Sequence, residues 1–77
     1  MSSERTPRVT ASQIIRVLKK SGFVMARQSG SHMIYKNATG LRATVPFHGA
    51  KTLHPKVLKS IMREADLTVE KLVELLK

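Results

Sequence analysis

The residues best equipped for chemistry stand in the stretch Gly30-Ser31-His32, where one of the chain's three histidines follows a turn glycine. It precedes an alternating run, Met33-Ile34-Tyr35-Lys36. Imidazole is the side chain that takes up and returns a proton near neutral pH. Neighbouring cations can hold a phosphodiester and stabilise the extra negative charge of its transition state. His32 with Lys36 and Arg42 supplies both parts. Taken alone, a histidine at a strand start is ordinary polar surface, so it is the company of these cations that marks His32 as the candidate catalytic group.

Other chemistries find less support. A magnesium-dependent nuclease needs clustered oxygen ligands, but the five acids are Glu4, Glu64, Asp66, Glu70 and Glu74, and none lies in the central stretch around His32. His48 and His54 are six residues apart, a spacing that suits neither one helical face nor a zinc finger. Each reads as a loop or helix-cap residue. Ser29 and Ser31 stand near His32, yet no carboxylate is close in sequence to orient an imidazole for serine chemistry. No metal and no cofactor are expected.

The elements that must position His32 follow from periodicity. Residues 1–9 lack it and read as a flexible basic tail, with a single domain over residues 10–77. Thr10 and Gln13 have the spacing of a capping box, and Ile14, Val17 and Leu18 then recur on one helical face. Gly22 suits the left-handed position after the helix. From Phe23 the period changes to two: "FVMARQ", "SHMIYK" and "LRATVP" predict three short antiparallel strands. Pro55 is placed to open a second helix, whose inner face is Leu58, Ile61, Met62 and Ala65. Thr68 caps a short third helix with Val69, Leu72, Leu75 and Leu76 inward. The fold class is α+β, a three-stranded antiparallel sheet with helices on one face and a short extra C-terminal helix.

Function then falls to the open face of the sheet, and parity decides which residues lie there. An odd-numbered first hairpin loop puts Phe23, Met25, Met33 and Tyr35 against the helices and sends His32, Ile34, Lys36 and Gln28 outward. An even loop puts Arg27 beside His32 but turns Phe23 to water. Exposing Phe23 and Met25 forfeits roughly 3 to 5 kcal/mol of burial, so the odd loop is expected. A five-residue second loop, Asn37 to Leu41, sends Arg42 and Thr44 outward.

Composition narrows the partner. Fourteen Lys and Arg against five Asp and Glu give a formal charge of +9 over 77 residues, which points to a polyanion, best of all nucleic acid. No apolar run approaches a membrane span, no signal peptide is visible, and absence of cysteine permits a reducing compartment. The expected location is the cytoplasm, with no membrane partner.

The segments "SGFVMARQSGSHMIYKN", "TVPFHGAKTL" and "LKSIMREADLTVEKLVELL" resemble the HicA family of small toxins, also described as YcfA-like, over residues 12–76. The resemblance rests on Gly22-Phe23, Gly30-Ser31-His32, Val45-Pro46 with His48, and the leucine-rich end. It implies a double-stranded-RNA-binding-like α-β-β-β-α fold, an mRNA interferase activity with His32 catalytic, and an acidic antitoxin of the HicB family that covers His32. Two positions depart from the family pattern: Asp66, where Gly is common, and Lys56-Val57-Leu58, where Gly-Thr-Leu or Gly-Thr-Phe is frequent.

Two further readings stand beside an endoribonuclease. One is a non-catalytic RNA-binding module that reads duplex shape through basic residues at a helix start, Lys51, Lys56 and Lys59. The other is a structural protein binding an acidic partner. On the first reading, Gly30, Ser31, Arg27, Lys36 and Arg42 are the RNA-contacting residues around His32, with Lys51, Lys56 and Lys59 as additional contacts.

Overall fold

The computed structural model describes residues 6–48 and 51–77. Its elements run α1 (Ala11–Lys20), β1 (Val24–Ser29), β2 (His32–Lys36), β3 (Arg42–Pro46), α2 (Pro55–Glu64) and α3 (Val69–Leu76). The sheet is an antiparallel meander in the order β1-β2-β3. The expected α+β architecture is the observed one.

Each helix begins where its sequence supplies an acceptor for free N–H groups. The Thr10 hydroxyl accepts from the Gln13 N–H at 3.2 Å while the Gln13 side chain accepts from the Thr10 N–H at 2.8 Å, a full capping box. At α2 the cap is His54, whose Nδ1 accepts from the Lys56 N–H at 3.1 Å, with Pro55 directly after it. Thr68 opens α3 by accepting from the Lys71 N–H at 3.0 Å. The far end of α3 is closed from another helix: the Lys20 ammonium donates to the carbonyls of Leu75 and Lys77, both at 3.0 Å. A cation at a helix C-terminus satisfies free carbonyls and opposes the negative end of the dipole.

Two helices end in the same way. After α1, the Phe23 N–H donates to the Leu18 carbonyl at 2.9 Å and the Gly22 N–H to Lys19 at 3.1 Å. After α2, the Leu67 N–H donates to Met62 at 2.8 Å and the Asp66 N–H to Arg63 at 3.2 Å. Both are Schellman motifs, and both need a left-handed residue: Gly22 has φ 95° and Asp66 has φ 58°. Asp66 is therefore the departure from the family pattern, with the glycine backbone kept under a side chain that disfavours it. Asp66→Gly is expected to stabilise the protein by about 0.5 to 1 kcal/mol, the relief of left-handed strain exceeding glycine's extra freedom in the unfolded chain. A raised urea midpoint at unchanged slope is the expected reading. A lowered midpoint would mean that the Asp66 carboxylate makes an interaction worth more than the strain.

One core joins the layers. Ile14, Val17 and Leu18 of α1, Leu58, Ile61 and Met62 of α2, and Leu72 of α3 bury against Tyr35, Ala43 and Val45 of the sheet and Phe23 beside it. Val9 is 1% exposed, and its carbonyl accepts from the Leu53 N–H at 2.8 Å. Val9, the last residue of the expected tail, thus packs with the core, and residues 1–5 of that tail lie outside the described residues.

The first hairpin corrects the parity argument. Its loop is the even pair Gly30-Ser31, since Ser29 pairs with His32. Arg27 consequently lies opposite Ile34, on the His32 face, and Gln28 lies opposite Met33, on the helix side, where an odd loop would have put it outward. Phe23 nevertheless stays buried at 3% exposure. A β-bulge makes both possible: Met25 pairs with Tyr35 and Arg27 with Ile34, leaving Ala26 as an extra residue that resets the alternation. Met25, expected in the core, is 50% exposed despite its place opposite Tyr35. The helices pack on β3, and all six residues of β1 stand at the uncovered margin.

Candidate active site

The open face of the sheet is assembled from alternate residues of three strands. His32, Ile34 and Lys36 of β2 stand between Ser29, Arg27 and Val24 of β1 and Pro46, Thr44 and Arg42 of β3. Lys36 is directly opposite Arg42, and Ile34 lies between Arg27 and Thr44. These nine side chains include one imidazole and three cations and no acid. The second loop has the expected five residues, which is why Arg42 and Thr44 share the face with Lys36.

His32 begins β2, where the backbone is tied down on both sides. Gly30 takes a left-handed φ of 59° in the hairpin turn. The Ser31 carbonyl accepts from the Phe47 N–H at 2.7 Å, joining the turn to the end of β3. The Gln28 amide donates to the Gly30 carbonyl at 3.4 Å. An exposed imidazole thus rises from a fixed strand end beside an N–H-free partner, Pro46. Gly30 and Ser31 build that turn.

The cations fall into two groups. Arg27, Lys36 and Arg42 line a cleft of about 230 Å³ with Ala26 and Ile34. Lys51, Lys56 and Lys59 are all exposed around the start of α2, a different part of the molecule. Pro46, the strand partner of His32, lines a second cleft of about 270 Å³ with His48, Lys51 and His54. His54 is the α2 cap and His48 lies in the loop after β3, in keeping with their spacing.

Tyr35 is removed from this chemistry by its position. It alternates with His32 and Lys36, lies on the helix side at 3% exposure, and burial pushes its phenol above the usual value. Two contributors were not legible in the sequence as site residues. Ala26 shapes the cleft only because it is bulged. Glu64, distant in sequence, brings its carboxylate to the outer edge of β3, where it accepts from the Thr44 N–H at 3.2 Å. An acid at the end of a helical pattern carries no sequence signal for such a bond.

Among the described residues no three of His, Cys, Asp and Glu come together as a metal-binding group, and no helix is long and apolar enough to cross a membrane. Residues 11–67 match the model of a family described as the HicA toxin of bacterial toxin-antitoxin. The match takes in α1, the whole sheet and α2, and ends just before α3. No curated protein matches the chain.

Proposed function

Because the chain belongs to the HicA toxin family of bacterial toxin-antitoxin systems, we propose that it acts as a metal-independent endoribonuclease that cuts mRNA, with His32 as its general acid or base. The observation that carries this reading is the exposed His32 on a face whose strand side chains include Arg27, Lys36 and Arg42 and no acid, Glu64 reaching only its outer edge.

In the reaction, the ribose 2′ oxygen attacks the adjacent phosphorus and loses its proton, while the bond to the 5′ oxygen breaks and that oxygen gains one. His32 performs one of these two transfers. Water or the substrate supplies the other, Tyr35 being on the opposite face and Lys36 at the far end of β2 from His32. Cations near the phosphate stabilise the doubly charged oxygens as they develop. The products are a 2′,3′-cyclic phosphate and a free 5′-hydroxyl, and no redox or metal step is needed.

A non-catalytic RNA-binding module is the second reading, favoured by the separate basic cluster of Lys51, Lys56 and Lys59 around the start of α2. Membership of the family also implies a cognate antitoxin. We take it to be an acidic HicB-like protein, since an acidic surface laid on this cationic face would shield His32 and speed encounter. An interface of about 1,200 to 2,000 Å² would suffice to cover the histidine and Lys36.

One experiment addresses both points. Incubation of mRNA with the protein in excess EDTA should give fragments ending in cyclic phosphate, and the cognate antitoxin should stop cleavage and protect His32 from chemical modification. RNA that is bound but left whole, with or without magnesium, would favour the binding module. Cleavage restored only by magnesium would overturn metal independence, and a fully modifiable His32 in a stoichiometric complex would overturn occlusion.

A further inference from the structure

With Ala26 in the chain the bulge is what keeps Phe23 buried, but the core does not need the residue itself. If Ala26 were absent, Met25 would still oppose Tyr35 and Arg27 would still oppose Ile34, so every strand partner would be kept in a regular ladder. Phe23 would also keep its place beneath the helices, because the alternation that buries it depends on the pairing of Met25 and not on the extra residue. What the extra residue changes is local: a bulge bends its strand, raises the twist and re-aims the side chains beside it. The side chain beside it is Arg27, and the cleft at that point is lined by Ala26, Arg27, Ile34, Lys36 and Arg42.

Distance separates this cleft from the reacting bond. Lys36 is four residues from His32 along one strand, about 13 Å at the usual rise per residue, and both side chains stand roughly perpendicular to the sheet. Arg42 is directly across from Lys36 and so is equally far from the histidine. A phosphate held between Lys36 and Arg42 is therefore not the phosphate that His32 serves, and Arg27, opposite Ile34, stands between the two. Ile34 and the Ala26 methyl give the same cleft an apolar floor between its cations, a composition suited to one nucleotide unit, with sugar or base on the floor and phosphate at the rim.

We propose that the Ala26 bulge builds a flanking-nucleotide subsite, in which Arg27, Lys36 and Arg42 engage a phosphate of the same RNA strand other than the one being cut. This rests on the RNA-cleaving reading of His32. The subsite recognises a single strand, because the donors are cations and the floor is apolar and shallow, with nothing that reads base edges. It positions the strand along β2, so that a phosphodiester further along arrives at His32. Arg27, Lys36 and Arg42 are thus positioning residues, and their loss should raise KM more than it lowers kcat.

The test uses the full chain and an RNA oligonucleotide whose cut site has been mapped. A 2′-deoxy sugar at the cut makes the strand resistant, and one uncharged methylphosphonate is placed at each phosphate in turn. Binding by the unaltered protein should weaken at the scissile position and at one flanking position. In Lys36→Ala, and in a variant lacking Ala26, the flanking penalty should vanish while the scissile penalty remains. The salt slope of binding should fall by about 0.7 for each phosphate no longer neutralised. Should the Ala26 deletion fold poorly, Lys36→Ala and Arg42→Ala on the exposed face carry the test. RNA that is bound and cut, but whose penalty profile is the same in all variants, overturns the subsite and leaves the catalytic reading standing. A protein that neither binds nor cuts RNA overturns both.

Discussion

Replacing His32 by alanine is expected to lower RNA cleavage by about 10² to 10⁴-fold, the range supplied by one general acid or base, with binding to uncut RNA largely retained. The histidine stands exposed at the start of β2, is not among the core residues, and pairs with Pro46 across the strands. Its removal should therefore change stability by no more than about 0.5 kcal/mol, as at most surface positions. Cleavage rates and thermal midpoints measured on the same preparation separate the two effects. A variant that keeps near-normal turnover would remove His32 from the chemistry, and one that loses turnover only in proportion to unfolding would make it a structural residue.

The second large effect is expected far from the site. Leu72 is the one residue of α3 that is fully buried, and α3 packs on α1, which in turn lies on β3. Leu72→Ala should cost about 2 to 5 kcal/mol through lost burial and the cavity left behind. For a chain of this length, whose whole stability is on the order of 4 to 12 kcal/mol, that is a large share. The midpoint of thermal unfolding should fall by about 10 °C or more. Val73→Ala, at a position 42% exposed, should move it little. Equal, small shifts in the two variants would show that α3 is an appendage to the family segment, which ends at residue 67, and not part of its core.

Much of this architecture was legible because its signals are local. Thr10 with Gln13 and Thr68 state where helices begin through hydrogen bonds made within three residues, Pro55 does so through its ring, and all three helices start there. The second hairpin was equally readable, since its five-residue loop leaves no freedom about which side Arg42 and Thr44 take. The first hairpin was not. Loop parity and the burial of Phe23 make conflicting demands, and an odd loop satisfies the larger energy while displacing Arg27 and Gln28 to the wrong faces. The molecule meets both demands by adding a residue inside the strand, and an alanine has no side-chain signal for a bulge. Likewise Met25 obeys its period but not its exposure, because which strands the helices cover is decided by packing among α1, α2 and α3. His32, Lys36 and Arg42 were recoverable as a group for the opposite reason: alternation along β2 and the register of β2 with β3 suffice to bring them to one face.

The hydrogen bond between the Glu64 carboxylate and the Thr44 N–H bears on how copies of this molecule behave in a crowded solution. β3 is an edge strand, and an edge with free donors is a template for a strand from another chain, the first step towards aggregation. Thr44 and Pro46 point their backbone nitrogens the same way along that edge; Pro46 has no hydrogen to offer, and the one on Thr44 is occupied by Glu64. The opposite edge, β1, is broken by the bulge at Ala26 and carries Arg27 immediately beyond it. A newcomer strand thus finds an interrupted ladder on either side, which leaves the face of a basic sheet open without inviting its own kind at its margins.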